Sequence, residues 1–422
     1  MSELQEPVLR LQAFRFELIL QTSQEKPFAQ AAGCCRYVSN RALGLQNEFY
    51  ELTGVHLNYA DLCAQLTEWK TYEELGWLNE APSQALQQAL QNLEKGWERY
   101  FKSRRKGYKG EPVGKPAFKK KGKHGSFRFP QGTILEQHNS RIYLPKIGWV
   151  RYRNSQQVVG KVKNVTVTRK ASKWFIAIQT ERAVAKPIHS STTTVGIDLG
   201  IVNFAALSTG QVIASLNSFR KLEESLSHAQ RAMSHKTKFS KNWKKAQAKV
   251  QRIHVRIADT RRDFLHRFTH SISNNHAIVC LEDLRIKNMS ASAAGTVEAP
   301  GTNVAAKSGL NKSILDQGWG ECYRQLDYKQ VWAGGRLVLV PPMYTSQTCP
   351  ECDKVSELNR TTQARFCCIE CGYQNHADIV GAINIRRAGL ARIACEVSGA
   401  ARPTAAGTTR SAKGDSTSLL AA

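Results

Sequence analysis

Residues 8–20, VLRLQAFRFELIL, alternate in part between apolar and polar positions, the two-residue period that sends successive side chains of a strand to opposite faces. From residue 28 to residue 101 the spacing becomes helical. In PSQALQQALQNLEKGWERYFKSRRK the residues Ala85, Leu86, Ala89, Leu90, Leu93, Trp97 and Phe101 recur on one side, with Ser83 placed as the N-cap. Strand patterns return at RIYLPKIGWVRYR, VKNVTVTRK and KWFIAIQTER. They predict a small β-barrel closing around residue 185; if the strand at 8–20 is its first, the helical block is an insertion into it.

Beyond the turn-rich HSSTTT, VGIDLGIVNFAALSTGQVIAS reads as three short strands separated by turns that contain glycine. Residues 221–270 read as long charged helices, and AIVCL at 277–281 as a strand ending at Glu282. ILDQGWGECYRQLDYKQVWAG reads as a helix and RLVLV as a strand. The segment SASAAGTVEAPGTNVAAKSG is low in apolar residues and predicts a mobile loop, and the Ala/Thr/Ser/Gly-rich tail from Gly399 predicts disorder.

A chain of 422 residues is long for one core, so these elements are expected to form two to four domains. Charge narrows the partner: 60 Lys+Arg against 34 Asp+Glu give +26, a field that favours polyanions over acidic small molecules. Nucleic acid is the leading partner, with a ribosomal-type or merely soluble basic protein as the alternative. Eleven Lys/Arg fall within residues 102–129, interleaved with Tyr108, Phe118, Phe127 and Phe129. That mixture predicts a surface that tracks phosphates while stacking on bases, against the plainer reading of a solvated loop. Another eleven lie between Lys236 and Arg267, with only Asp259 and Asp263 as acids, and predict a helical face resting on nucleic acid, or else an exposed helical hairpin.

No run of 18 apolar residues occurs, and MSELQEPVLRLQAFRF lacks the basic-then-apolar order of a secretory signal. The expectation is a cytoplasmic protein with no membrane partner. Eleven cysteines, five of them between Cys349 and Cys371, fit metal binding in a reducing compartment better than disulfides. Cys34, Cys35, Cys63, Cys280, Cys322 and Cys395 read as small buried hydrophobes.

Cys349-x2-Cys352, fifteen residues, then Cys368-x2-Cys371 is the spacing of a zinc ribbon, in which two knuckles give four thiolates to one tetrahedral structural Zn2+. Cys367 would give x3 in the second knuckle, and His376 is a possible substitute ligand; both remain open. Asp353, where glycine is common after the second cysteine, is expected to strain its turn.

Three carboxylates stand apart. In VGIDLG alternation puts Asp198 between Gly196 and Gly200 on the face opposite Val195, Ile197 and Leu199, and the glycines are expected to leave room for a phosphate or metal. Glu282 ends the AIVCLE strand, and Asp378 starts ADIVGAINI, whose Ile379, Ala382, Ile383 and Ile385 fit a buried helix face. Carboxylates from a strand centre, a strand end and a helix start suit two Mg2+ ions that clamp a phosphodiester and activate a water. Singly, each has a plain reading: turn residue, surface acid, N-cap. Their order, with hairpins after the first and a crossover helix before the second, favours a ribonuclease-H-like nuclease.

GIDLGIVNFA, VCLEDLRIKNM, GWGECYRQLDYKQVWAGGRLVLVPPMYTSQTCPECD, FCCIECG and HADIVGAINI occur in the order that resembles TnpB, the transposon-encoded RNA-guided nucleases related to type V CRISPR effectors. AAGCCRYVSNRALGLQNEFY resembles the start of that family's helical recognition lobe. The resemblance implies an α/β multidomain fold: a β-barrel wedge domain (1–27 and 106–190) with an inserted helical recognition lobe (28–105), then an RNase H-like RuvC domain (191–344 and 376–398) carrying an inserted zinc ribbon (345–375), and a tail (399–422). It assigns Asp198, Glu282 and Asp378 as catalytic Mg2+ ligands, and Cys349, Cys352, Cys368 and Cys371 as zinc ligands. It implies a guide RNA from the transposon end, a double-stranded DNA target beside a short motif, and cleavage at one site. Many relatives have Asn-Ala where this chain has Val380-Gly381, and arginine where it has Ala377. A guided DNA-binding protein without cleavage and a guide-independent RuvC-type nuclease are the alternatives.

Overall fold

Phe14, Phe16 and Leu18 turn inward from β1 (Val8–Ile19) while their neighbours stay partly exposed, so the alternation seen in the sequence is that of a half-buried strand. The computed structural model describes residues 7–108, 110–122 and 125–398, which divide into two units, the first Pro7–Val184 and the second beginning at Ala185. The expected disordered tail, 399–422, lies outside the described residues.

In the first unit β1 is followed by α1 (Thr22–Thr53), α2 (Tyr59–Trp69) and α3 (Ser83–Arg104). Strands β2 (Gly125–Phe129), β3 (Ile134–Glu136), β4 (Arg141–Leu144), β5 (Gly148–Tyr152), β6 (Lys161–Lys170) and β7 (Lys173–Val184) then join β1 in an antiparallel sheet of order β2-β6-β7-β1-β5-β4-β3. The helices are thus inserted between two strands of one sheet. β1 pairs with β7 from Val8↔Val184 to Glu17↔Phe175, then with β5 at Leu18↔Tyr152 and Ile19↔Arg151. Among the described residues β2 and β3 are the two edges and do not pair with each other.

Three details depart from expectation. α1 begins at Thr22, because the side chains of Gln21 and Gln24 each reach the other's backbone and cap it there. Ser83 is the first residue of α3 rather than its cap; Pro82, at φ −60°, stands in the cap position, and Ser83 Oγ accepts from Lys70 Nζ at 3.2 Å. In the basic segment Phe127 and Phe129 are buried in β2, so of its aromatics only Tyr108 and Phe118 are exposed. The Asn40 side chain both donates to and accepts from the Lys119 backbone, 3.0 and 2.8 Å, which pins that part of the segment onto α1.

The second unit carries a five-stranded sheet. β8 (Thr194–Leu199), β9 (Asn203–Leu207) and β10 (Val212–Ala214) form hairpins, α4 (Glu223–Ser234) and α5 (Lys241–Asn275) follow, and β11 (Ile278–Glu282) returns parallel to β8. After α6 (Ile286–Met289), α7 (Val304–Gln317) and α8 (Trp319–Ala333), β12 (Arg336–Val340) adds parallel to β11, for an order β10-β9-β8-β11-β12. The short pair β13 (Arg365–Cys367) and β14 (Gln374–His376) precedes α9 (Ala377–Val397).

The predicted loop at 290–309 is helical from Val304, where Lys307 Nζ and Asn311 Nδ2 donate to the carbonyls of Met289 and Ala291 and tie α7 to the chain before it. The predicted helix at 314–334 is broken at Gly318, whose φ of +72° ends α7 and starts α8.

Val195, Ile197, Val279 and Leu281 face a core built with Leu265, Phe268 and Ile272 of α5, Ile314 of α7 and Trp319, Cys322 and Leu326 of α8. The other face carries Cys280, Val338 and Val340 against Ile385 of α9. α9 lies so close that a Cβ on Gly196 would stand 2.1 Å from Ala382 O. One on Gly200 would stand 2.7 Å from Asn203 O across the β8–β9 turn. Both glycines flanking Asp198 therefore make room for the chain itself, not for a ligand.

Candidate functional site

β8 and β11 run in register through Leu281↔Ile197, so the next residues, Asp198 and Glu282, stand side by side at the carboxyl ends of two parallel strands. They lie on the face that α9 covers. Asp378 is the second residue of α9, and the cap is His376, whose Nδ1 accepts the Asp378 N–H at 3.3 Å. That leaves the Asp378 carboxylate for tertiary work: it accepts from Asn203 Nδ2 at 3.4 Å and lies 3.8 Å from Arg360 Nη2. Glu282 Oε1 accepts from Thr345 Oγ1 at 2.6 Å, and its backbone carbonyl accepts from the Tyr323 hydroxyl.

The structure thus brings the three acids expected from the sequence to one place. Burial, then the charges of Glu282 and Asp378, push Asp198 up to about 7, with Arg360 pulling the other way. Burial also raises Glu282, opposed by its bond from Thr345. Negative charge converging without enough cation to balance it is the electrostatic requirement for hard divalent ions, which take oxygen ligands. Among the described residues only the four cysteines cluster closely enough to share one ion.

Thr345, Arg360 and Asn203 escape sequence reasoning. Arg360 belongs to the fifteen residues between the cysteine knuckles, and Thr345 is one of three threonines and serines in YTSQT; only the fold aims either at a carboxylate.

The ligand atoms of Cys349, Cys352, Cys368 and Cys371 all lie within 4.8 Å of one another, with Cys349–Cys371 at 3.6 Å and Cys352–Cys368 at 3.5 Å. Four thiolates about 2.3 Å from a tetrahedral ion would be roughly 3.8 Å apart, so the set fits zinc. Cys367 falls in β13 outside the cluster, and His376 is occupied as the α9 cap. Cys368 is pulled down to about 6, first by the Cys371 backbone and, after some opposition from burial, by the N–H of Glu370, which reaches its Sγ at 3.4 Å. Asp353 adopts φ +59°, the left-handed conformation that its replacement of glycine implied, and Arg387 Nη2 meets its carboxylate at 2.7 Å. Arg387 Nη1 also donates to Pro350 O at 3.2 Å, and Asn384 Nδ2 to the carbonyls of Thr345 and Thr348, each at 2.8 Å. α9 therefore carries Asp378 and also the side chains that brace the ribbon.

Comparison with known proteins adds three family matches: one described as "Probable transposase" over residues 175–293, a "Cas12f1-like, TNB domain" over 319–385 and a "Helix-turn-helix domain" over 10–54. An Escherichia coli (strain K12) protein named "Putative RNA-guided DNA endonuclease InsQ" is 50% identical across 92% of this chain and 94% of its own. A Streptomyces pristinaespiralis protein with the same descriptive name is 31% identical across 91% and 90%. The Cas12f1 endodeoxyribonuclease of Sulfoacidibacillus thermotolerans is 38% identical over 73 residues, 17% of each chain. No helix among the described residues is long and apolar enough to cross a membrane.

Proposed function

The chain belongs to the TnpB family, and from that premise we propose that it is an RNA-guided DNA endonuclease encoded by a transposon. In this reading a guide RNA from the transposon end pairs with double-stranded target DNA beside a short adjacent motif, so base pairing selects the sequence and the protein holds the backbone. The observation that carries the cleavage step is the convergence of Asp198, Glu282 and Asp378, expressed in the rise of Asp198 to about 7. The first unit corresponds to the wedge with its inserted recognition lobe. The five-stranded sheet with α9 corresponds to an RNase H-like RuvC domain, and 345–375 to its zinc ribbon.

Asp198, Glu282 and Asp378 would hold two Mg2+ ions, which supply Lewis-acid charge to an attacking water and to the leaving oxygen. Thr345 fixes the Glu282 carboxylate through its hydroxyl. Asn203 and Arg360 orient Asp378, and the Arg360 guanidinium is placed to meet a phosphate oxygen beside the acids. Zn2+ on Cys349, Cys352, Cys368 and Cys371 would be structural, since four thiolates leave no open position.

The test is purification of the protein with its RNA, sequencing of that RNA, and Mg2+-dependent cutting of a plasmid that matches its 3′ end. Asp198→Ala should abolish cutting and spare target binding. Unchanged cutting would remove the proposed site, and absence of RNA of defined sequence would favour a guide-independent nuclease.

A further inference from the structure

The connection between α4 and α5 combines three features that ordinary helical hairpins avoid. Phe239 is 66% exposed. Its φ is +69°, a left-handed conformation that is strained for a bulky residue and nearly free for glycine. Its surroundings are cationic: there is no Asp or Glu between Glu224 and Asp259, and Lys236, Lys238, Lys241, Lys244 and Lys245 are all exposed. No ion pair engages these lysines among the described residues.

The ring is not loose. Ser240 caps α5 by accepting the Trp243 N–H at 3.1 Å, which sets the indole one turn below, and the Phe239 ring packs edge-on against it with centroids 5.5 Å apart. Lys238 Nζ lies 5.3 Å from the centre of the Phe239 ring. One edge of Phe239 is buttressed while much of its surface remains open, beside the Lys238 ammonium and within a segment rich in exposed lysines. A carboxylate-bearing or purely apolar partner would leave half of this chemistry unused. A base with its flanking phosphates uses both, because any base can stack on an aromatic ring and each phosphate can find a lysine.

We propose that the Phe239–Trp243 tip is a stacking platform for an unpaired nucleotide of the RNA that this protein carries, with Lys236, Lys238, Lys241 and Lys244 on the adjoining phosphates. RNA is favoured over target DNA because a strained, exposed aromatic needs a resident partner, and in the function proposed above the RNA is resident while the DNA is transient. The inference rests on that reading for the identity of the strand, and the probes below do not depend on a guide.

The full-length protein, freed of RNA, is titrated with fluorescent poly(U) RNA and with poly(dT) DNA of equal length, as native, Phe239→Leu, Phe239→Tyr and Phe239→Gly. Phe239→Leu should weaken poly(U) binding roughly tenfold, the range expected for one stacked base, and Phe239→Tyr should preserve it. Phe239→Gly should weaken binding while raising the melting temperature, opposite signs that a merely structural residue would not give. Equal poly(U) affinity of Phe239→Leu and native protein overturns the proposal. So does a loss confined to poly(dT). Copurification of RNA of defined sequence is read separately, so failure of the guided-nuclease reading and failure of this site are distinguishable.

Discussion

Gly381 of α9 lies against Asp198: a methyl group there would stand 2.9 Å from Asp198 Oδ2 and 3.4 Å from its Cγ. Gly381, where the resemblance leads to an expectation of alanine, is therefore the residue that sets how freely this carboxylate can turn. Gly381→Ala should gain about 1 kcal/mol of helix stability, since glycine is a poor interior helix residue. The added methyl also desolvates Oδ2, so the Mg2+ concentration for half-maximal cleavage should rise. Thermal melting and a Mg2+ titration check the two effects, and an unchanged Mg2+ requirement would mean that α9 moves away instead.

Asp198 imposes a pH dependence on the ion-free protein. Its proton affinity rises from 3.8 to about 7 on folding, so the folded chain retains a proton that the unfolded chain has released. This site costs nothing below about pH 4; between there and pH 7 stability declines as pH rises, by on the order of a few kcal/mol in all. Asp198→Asn should raise the melting temperature at pH 8 in chelator, have little effect near pH 4, and eliminate cleavage. Mg2+ should stabilise the native protein at pH 8 more than the variant.

Thr345 acts through Glu282. Thr345→Val keeps the shape and removes the 2.6 Å bond, which should lower the cleavage rate roughly ten- to a hundredfold with target affinity unchanged. Thr345→Ser should restore most of the rate. Single-turnover cleavage beside a binding measurement separates the two, and loss of binding would point to a misfolded ribbon.

Arg360 faces Asp378 and lowers the proton affinity of Asp198. Arg360→Ala should slow cleavage about a hundredfold, as loss of a charge-stabilising group does, and move the alkaline-rising limb of the pH–rate profile upward. Arg360→Lys should recover part of the rate. A profile that keeps its midpoint would place Arg360 outside the carboxylate field.

Asp353 holds a left-handed backbone at the first knuckle, steadied by Arg387. That ion pair is exposed and worth little, so Asp353→Gly, which relaxes the backbone, should hold zinc at least as long as the native protein in a chelator challenge. Asp353→Val, β-branched and intolerant of this φ, should release it sooner.

Much of the candidate site was legible in the chain because its signals are local. Knuckle spacing brings cysteines together through short turns, and strand alternation alone puts Asp198 opposite Val195 and Ile197, and Glu282 at a strand end. The aromatics of 102–129 misled because composition does not say which face a side chain takes: Phe127 and Phe129 alternate like any half-buried strand and are inside. Ser83 misled because Pro82 offers a competing start to the same helix.

The sequence by itself determined the broad succession of strand and helix blocks, the excess of basic charge, the cysteine spacing and the choice of three acids, all of which depend on spacings of a few residues or on summed charge. Only the tertiary structure decided that Gly196 and Gly200 admit the chain and not a ligand, that Thr345 and Arg360 belong with the acids, and that Phe239 stands exposed on a strained turn. Those relationships join residues whose separation along the chain has no fixed relation to their separation in space, and side-chain packing settles them once α9 has been laid across β8 and β11.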